Sequence, residues 1–148
     1  MIHEPRPICF TNGVFDCFHE GHRHFLRQCA ELSDRGVLVV ALNDDASARR
    51  LKGSTRPVHT IETRIEAVRS FLETLRPVIK FNVVRFSADT PTDLIHMMAP
   101  HVLIKGDDAV RPLAGEEFIV SYGGRIEIVD RLPGVSTTEL LARGEGSK

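Results

Sequence analysis

Two histidines stand three residues apart at the predicted start of the first helix. His19 and His22 enclose Glu20 and Gly21, and apolar residues recur at helical spacing from Gly21 to Ser33. A helix N-terminus supplies unpaired N–H donors and partial positive charge, and Gly21 would let a phosphate approach the backbone closely. Two imidazoles there could donate hydrogen bonds to a phosphate in its transition state. The segment therefore predicts an anion site with two adjustable donors.

Two other interpretations of this segment stay open from the residues alone. Four of its side chains are of types that bind zinc: Cys17, His19, His22 and His24. Their spacing matches no standard zinc pattern, and we predict no metal site made by side chains. Alternatively, His22 could be a hydrogen-bonded buried histidine that packs with Leu26, while His24 is expected to point to solvent.

Strands and helices alternate along the chain and must position these histidines. The patterns predict strands at Pro7–Thr11, Val37–Leu42, Val78–Phe86, His101–Lys105 and Arg125–Val129, and helices at Gly21–Ser33, Asp44–Leu51, Ile61–Leu75, Thr92–Met98, Pro112–Tyr122 and Ser136–Ala142. Thr60, Thr90 and Ser136 are the expected N-caps of three of these helices. The alternation predicts a single α/β domain over residues 1–148, with its core at 7–143, a flexible tail at 144–148 and about five parallel strands.

Composition excludes several classes of protein. The chain has 148 residues, of which 42% are hydrophobic and 26% charged, so it is an ordinary globular sequence. Its net charge of −1 disfavours a net-basic nucleic-acid binder, and no apolar run approaches the roughly 20 residues of a membrane helix. Its three cysteines, with no secretory leader, are typical of reduced thiols. We therefore expect a cytoplasmic protein without nucleic-acid or membrane partners.

Polar residues gather where the predicted parallel strands end, which is where ligands bind in such sheets. The groups are Thr11–Gly13, Asn43–Asp45, Lys105–Asp108 and Arg131 with Ser136–Thr138. Asp107 and Asp108 could hold a base or ribose by accepting hydrogen bonds, or they could form a turn. The hydroxyls of Ser136–Thr138 could cradle a phosphate at a helix N-terminus, although the same pattern is also a common helix cap.

The segment from Phe10 to His22 resembles the opening of the cytidylyltransferase-like nucleotidyltransferases. It reads F-T-N-G-V-F-D-C-F-H-E-G-H, and the hallmark of that family is G-x-F-D-x-x-H-x-G-H. The resemblance continues, in order, through four further blocks: Asn43–Pro57, Glu62–Arg64, Ile104–Asp108 and Gly134–Thr138. One H-x-G-H also occurs in class I aminoacyl-tRNA synthetases, whereas the ordered set over residues 7–143 is highly specific.

Different details of the chain resemble two branches of that family. The heptose 1-phosphate adenylyltransferase branch is favoured by Leu51–Gly53, Arg56-Pro57, Asp89–Pro91 and Lys105-Gly106. The glycerol-3-phosphate cytidylyltransferase branch is favoured by Gly106–Asp108 and by Arg131–Thr138. Ala109 replaces the aromatic residue that follows the aspartate in both branches.

The resemblance implies a Rossmann-like fold with helices on both faces of the sheet and transfer of a nucleoside monophosphate to a phosphorylated acceptor. Our first choice is ATP with a heptose 1-phosphate. The alternative is CTP with a glycerol-3-phosphate-like polyol phosphate or a phosphonate, and a nucleotide-binding protein without catalysis is more remote. An acceptor phosphate is already anionic near neutral pH, so no general base is expected. Catalysis would rest on positioning and electrostatic stabilisation.

The resemblance also implies roles for individual residues. The expected catalytic residues are His19, His22 and Lys52, with Lys52 on a mobile loop after an arginine-rich helix that holds Arg49 and Arg50. The expected nucleotide-binding residues are Thr11, Asn12, Gly13, Phe15, Gly21, Lys105, Gly106, Asp107, Asp108, Arg131, Ser136, Thr137 and Thr138. The expected acceptor-binding residues are Asp16, Asn43, Arg56 and Arg64, although Arg64 could instead form a surface ion pair with Glu62 or Glu66. Mg²⁺ is expected mainly on the nucleotide phosphates, and the chain is expected to be a homodimer.

Overall fold

The computed structural model describes residues 6–130, and the structural statements below concern that range. Its strands are β1 (Ile8–Gly13), β2 (Val37–Asn43), β3 (Lys80–Phe86), β4 (Val102–Gly106) and β5 (Arg125–Val129). Its helices are α1 (Glu20–Leu32), α2 (Asp45–Lys52), α3 (Ile61–Thr74), α4 (Thr92–Met98) and α5 (Glu116–Ser121). The predicted helix at Ser136–Ala142, with Arg131 and the Ser136–Thr138 turn, lies outside the described residues.

The five strands form one parallel sheet in the order β3-β2-β1-β4-β5. The chain runs outward from β1 to β3 and then crosses back to β4 and β5. Phe10 of β1 pairs with Val39 on one side and with Leu103 on the other. Because the strand order reverses between β1 and β4, a crevice is expected beyond the carboxyl ends of these two strands. The expected Rossmann-like fold is confirmed.

Two apolar layers cover the sheet. Leu26 of α1 and Val68 of α3 pack on one face, against strand residues such as Leu38. Ile95 of α4 and Ile119 of α5 pack on the other face. Since residues Leu38–Leu42 are all buried, β2 is covered on both faces, which explains its uninterrupted apolar sequence.

Two elements begin two or more residues after their predicted starts. The third strand begins at Lys80, and Val78 remains 76% exposed. The fifth helix begins at Glu116, after Gly115 with φ +79°, because the segment before it turns with the Leu113 N–H donating to Glu116 at 3.0 Å.

The expected cap of α4 is also wrong, whereas the cap of α3 is confirmed. Pro91 holds the N-cap position of α4 without a side-chain hydrogen bond, and the Thr90 hydroxyl lies 2.9 Å from that of Thr92. In α3 the Thr60 hydroxyl accepts the N–H of Thr63, as the sequence predicts.

Candidate active site

His19 and His22 cap the N-terminus of α1 with their own side chains. Nδ1 of His19 accepts the N–H of Gly21 at 3.0 Å, and Nδ1 of His22 accepts the N–H of His19 at 3.2 Å. This reciprocal pair is a capping box in which histidines replace the usual hydroxyl and carboxyl residues. Because an imidazole nitrogen accepts only when it carries no proton, each neutral ring holds its hydrogen on Nε2.

The two rings stack on each other in an apolar surrounding. Their centroids lie 3.8 Å apart at 24°, and His22 also contacts Phe15 at 5.3 Å and Phe18 at 5.5 Å. Burial lowers the pKa of His22 to about 3, and the His19 charge adds to that effect. Burial and then the charge of Arg23 lower the pKa of His19. Both rings are therefore neutral near pH 7 and carry an Nε2–H donor.

The β1–α1 loop that leads to the histidines adopts an unusual backbone. Phe15 has φ +54° and Cys17 has φ +51°, backbone angles that residues other than glycine rarely adopt. The Phe15 ring folds back over Gly13, where a Cβ would lie only 2.9 Å from the ring. Phe15, expected among the nucleotide-binding residues, is thus a buried residue that packs against His22. Such strain concentrates at functional sites.

Asp16 joins the β1–α1 loop to the loop that precedes α3. Its carboxylate accepts the N–H of Val58 at 2.7 Å and of His59 at 2.9 Å, and Nε of Arg56 lies 3.5 Å away. Burial alone would raise the pKa of Asp16, but these N–H groups and Arg56 outweigh it and lower the pKa. Asp16 is ionised at neutral pH and holds the two loops together, while its expected contact with the acceptor stays a prediction.

Arg64 is buried and serves as a scaffold. Its guanidinium donates to the carbonyls of His59 (3.0 Å), Val14 (2.9 Å) and Asn43 (2.8 Å), and to the carboxylate of Asp45 (2.7 Å). This arrangement differs from both the expected phosphate contact and the alternative of a surface ion pair. Four N–H groups already bind protein oxygens, so Arg64 fixes the ends of β1 and β2 relative to α3.

Asn43, another expected acceptor contact, is also part of the scaffold. It is buried, and its amide donates to the Ser47 hydroxyl at 2.9 Å. Ser47 in turn donates to the carbonyl of Ala88 at 2.8 Å. The side chain thereby links the end of β2 to the start of α2 and to the loop after β3.

Two lysines bring positive charge to the carboxyl ends of the strands. Nζ of Lys105 donates to the carbonyl and side-chain oxygens of Asn12 at 3.1 and 3.3 Å. Burial lowers the pKa of Lys105; the Asp108 charge opposes this effect, and the Lys52 charge adds to it. Lys52 therefore lies near enough to Lys105 for its charge to act on that residue. It is the exposed last residue of α2, whereas we expected it on a loop after that helix.

Two buried polar atoms have no hydrogen-bond partner within residues 6–130. They are the hydroxyl of Thr11 and Nε of Arg56. Buried polar groups are usually satisfied by protein, water or ligand. Both residues were expected to contact substrates, but both atoms are buried, and Nε of Arg56 lies 3.5 Å from the carboxylate of Asp16.

A cavity of about 270 Å³ opens beside Lys105, on the α4 and α5 side of the sheet. Its lining residues are Asn12, Pro91, Leu103, Lys105, Ala109, Val110, Leu113 and Ala114. Sequence reasoning identified Asn12 and Lys105 but missed the six others. Apolar side chains carry no chemical signature. Ala109, Val110, Leu113 and Ala114 could have been indicated only by their position after the Lys105–Asp108 block, and Pro91 and Leu103 precede it.

Four other expected nucleotide-binding residues lie at the carboxyl end of β4 or in the first turn of α1. Gly106 ends β4, Asp107 donates its N–H to the carbonyl of Val129 at 3.0 Å, and Asp107 and Asp108 are exposed. Gly21 lies in the first turn of α1, where its N–H takes part in the cap.

A possible metal-binding cluster differs from the histidine set considered from the sequence. Within residues 6–130, ligand atoms of Asp16, Cys17 and His59 lie within 4.8 Å of one another. Mg²⁺ prefers oxygen ligands in an octahedron, whereas this cluster offers one carboxylate that already binds N–H groups and Arg56. These side chains do not fit Mg²⁺, and the ion would have to be held by the nucleotide itself.

The chain belongs to the cytidylyltransferase-like family, whose profile matches residues 10–143. It is 43% identical to the bifunctional protein HldE of Alkalilimnicola ehrlichii over 137 residues, 92% of this chain and 27% of that protein. It is 44% identical to the HldE of Rhodopseudomonas palustris strain BisB18 over 95% of this chain and 27% of that protein. The chain thus spans about a quarter of the length of these relatives.

Solved structures show the same fold at lower identity. A lipopolysaccharide core biosynthesis protein from Thermoplasma volcanium superposes with a TM-score of 0.60 at 22% identity, over 85% of this chain and 96% of that one. Within residues 6–130, no helix has the length and apolar character to cross a membrane.

Proposed function

We propose that this chain is a nucleotidyltransferase that joins AMP from ATP to a heptose 1-phosphate and releases pyrophosphate. The histidine pair at the α1 N-terminus carries the proposal, because it offers two neutral Nε2–H donors at the partially positive end of a helix. Family membership and the HldE relatives favour this reaction over transfer from CTP.

The proposed reaction is a direct displacement at the α-phosphorus. An oxygen of the acceptor phosphate forms a bond to the α-phosphorus while the bond between the α-phosphorus and the pyrophosphate oxygen breaks. His19 and His22 donate to the α-phosphate as its charge is redistributed, and Lys52 offsets the repulsion between acceptor and nucleotide phosphates. The acceptor is already an anion, so the step needs no general base.

In-line displacement determines where the two substrates enter. The acceptor and the pyrophosphate must lie on opposite sides of the α-phosphorus. α1 packs on one face of the sheet, and the cavity beside Lys105 opens on the other. With the nucleotide phosphates over the α1 N-terminus, the cavity is the place for the sugar of the acceptor.

This arrangement divides the remaining candidates by role. Lys105 and Asn12 border the cavity and would contact the acceptor as well as the nucleotide, while Thr11, Gly13 and Gly106–Asp108 would line the crevice. Arg56 pairs with Asp16 through Nε and would contact the acceptor with the remainder of its guanidinium. For Arg131 and Ser136–Thr138, which lie outside the described residues, binding of the β- and γ-phosphates rests on the family resemblance.

Three further features belong to the proposal. Mg²⁺ would enter with the nucleotide and neutralise its phosphates. The working unit would be a homodimer, which light scattering would contradict by giving a 16.5 kDa species at assay concentration. The location would be the cytoplasm, in keeping with the buried cysteine thiols of Cys9, Cys17 and Cys29.

Pyrophosphate release tests the function. ATP, CTP, GTP and UTP would each be combined with heptose 1-phosphate, glycerol 3-phosphate and other sugar 1-phosphates in the presence of Mg²⁺. We expect the highest kcat/KM for ATP with heptose 1-phosphate. A preference for CTP with glycerol 3-phosphate would overturn the substrate assignment, and no release with any pair would overturn the reaction.

A further inference from the structure

A row of aromatic rings leads from His22 to the surface of the protein. The Phe18 ring stacks on His22 with centroids 5.5 Å apart at 21°, and Phe71 of α3 lies 5.9 Å beyond Phe18. The guanidinium of Arg23 lies 5.6 Å from the centre of the Phe18 ring, and that of Arg27 lies 5.3 Å from Phe71. Both distances suit a cation–π contact.

One carboxylate holds both arginines in place. Oε2 of Glu20 accepts from Nε of Arg23 at 2.9 Å, and Oε1 accepts from Nη1 of Arg27 at 3.0 Å. Arg23 and Arg27 follow Glu20 by three and seven residues, so the three side chains lie on one face of α1. Glu20 also lies in the first turn, where a negative charge favours the helix. The Glu20–Arg23–Arg27 cluster thus covers Phe18 and Phe71 from outside.

We propose that Phe18, held by the Glu20–Arg23–Arg27 cluster, is a positioning residue that keeps the His22 ring in the orientation and tautomer required for nucleotidyl transfer. The inference rests on the proposed function. A half-turn of the imidazole about its bond to Cβ would put Cδ2 in the place of Nδ1 and so break the hydrogen bond from the His19 N–H. The stacked Phe18 ring opposes that rotation and shields one face of the imidazole from water.

Loss of this ring would change the proton affinity of His22 as well as its position. Within the described residues, the charged or titratable groups that act on His22 are His19, Asp16 and Arg23, and burial is the largest influence. Access of water on the Phe18 side would raise the pKa of His22 toward its ordinary value. Protonation of Nδ1 would then end its hydrogen bond from the His19 N–H and release the ring.

Substitution of Phe18 by leucine and by tyrosine tests the inference. F18L keeps the apolar character but removes the stacked ring, whereas F18Y retains the ring and should rescue the enzyme. F81L is the matched control, because Phe81 packs against the same core on β3. The measurements are kcat and KM for ATP with heptose 1-phosphate, the pH dependence of kcat, and the ¹⁵N shifts of the histidine rings by NMR.

We expect F18L to lower kcat on the order of tenfold to a hundredfold, with little change in KM for ATP. The acid limb of the pH profile should move upward by about one unit, since one face of His22 is hydrated. The NMR spectrum should show that the Nε2–H tautomer of His22 is no longer the sole form. F18Y and F81L should keep the wild-type profile and tautomer.

Two results separate failure of the inference from failure of the function. If F18L keeps the wild-type kcat, pH profile and ring shifts in an active enzyme, Phe18 is an ordinary core residue and the inference is overturned. If the wild type transfers no nucleotide to any acceptor, the proposed function fails. The ring shifts, measured without substrate, then decide whether Phe18 holds His22.

Discussion

His19 and His22 each serve the fold through Nδ1 and, in the proposed mechanism, the chemistry through Nε2. The Nδ1 hydrogen bonds at 3.0 and 3.2 Å complete the α1 N-terminus, and the same bonds select the tautomer that donates from Nε2. A substitution at either position therefore removes a helix cap as well as a donor. The two effects can be separated, because glutamine can supply a cap acceptor without titrating.

Alanine at either histidine should impair turnover far more than nucleotide binding. H19A or H22A removes one donor that acts on the α-phosphate, and we expect kcat to fall by ~10²–10³. Kd for ATP, measured by calorimetry, should change little because the helix N–H groups remain. A double variant that turned over at nearly the wild-type rate would contradict the proposed mechanism.

Stability should depend on pH through His22, and H22Q should reduce that dependence. The pKa of this group is about 3 in the folded protein and about 6.5 in the unfolded chain. Below pH 6.5 the unfolded chain therefore binds more protons, so the stabilisation is complete above pH 6.5 and is lost as the pH falls. Between pH 6.5 and 4.5 the wild type should lose about 2 kcal/mol more than H22Q in its free energy of unfolding.

Urea unfolding of both proteins at several pH values measures that difference. Asp16 and His19 also have lowered pKa values, but these are common to the two proteins, so their contributions largely cancel in the comparison. Parallel curves for wild type and H22Q across this pH range would mean that His22 is not buried in its neutral form.

Lys52 should affect kcat/KM for the acceptor and have almost no effect on the free energy of unfolding. It is exposed at the end of α2, so K52A should leave the free energy of unfolding within about 0.5 kcal/mol. The same change should lower kcat/KM for the acceptor by a larger factor than it weakens ATP binding. K52R should restore this activity only partly, because a planar guanidinium group does not replace a compact ammonium group. Equal small losses in both quantities would make Lys52 an ordinary surface lysine.

At the scale of elements, side-chain hydrogen bonds to backbone atoms join the loops that form the site. Asp16 fixes the loop at Val58 and His59, and Arg64 ties that loop to the ends of β1 and β2. Both residues were expected to bind the acceptor. That contact stays a prediction, and what the structure has is a pair of side chains that hold separate segments together.

Substitution of Arg64 should therefore unfold the protein before it reveals any substrate contact. R64M leaves the Asp45 carboxylate and three carbonyls without their donor, and we expect a loss of about 3–5 kcal/mol. Thermal unfolding measures this loss. A variant that kept the wild-type melting temperature but lost acceptor affinity would restore the original assignment of Arg64 to the acceptor.

How much could be predicted from the sequence depended on whether a signal was local. The apolar run of β2, the Thr60 cap of α3 and the histidine pair at α1 are local patterns, and the structure has each of them. The start of α5 depends on Gly115 at φ +79° and on a contact between Leu113 and Glu116, which periodicity does not reveal. The partners of Arg64 lie up to 50 residues away, so its burial could not be inferred from neighbouring residues.

At the scale of the whole molecule, the reversal of strand order separates two halves of the candidate site. The histidine pair belongs to the α1 face, whereas the cavity of about 270 Å³ belongs to the α4 and α5 face. Lys105 and Asn12 lie between them at the ends of β4 and β1. The sheet thereby places the α1 N-terminus, which we propose binds phosphate, and the cavity, which we propose holds the sugar, on opposite faces, in keeping with in-line transfer.

Filling the cavity should impair use of the acceptor and spare the nucleotide. Ala114 lines the cavity from the turn before α5, and A114F would place a ring in that space. We expect KM for heptose 1-phosphate to rise on the order of 10–200-fold, because a shape mismatch in a pocket costs about 1–3 kcal/mol. V120F, at an exposed position on α5 that does not line the cavity, is the control. Both variants should keep the wild-type Kd for ATP in calorimetry. Weaker ATP binding by A114F with an unchanged acceptor KM would instead place the base in the cavity, and the acceptor would then have to enter beside α2.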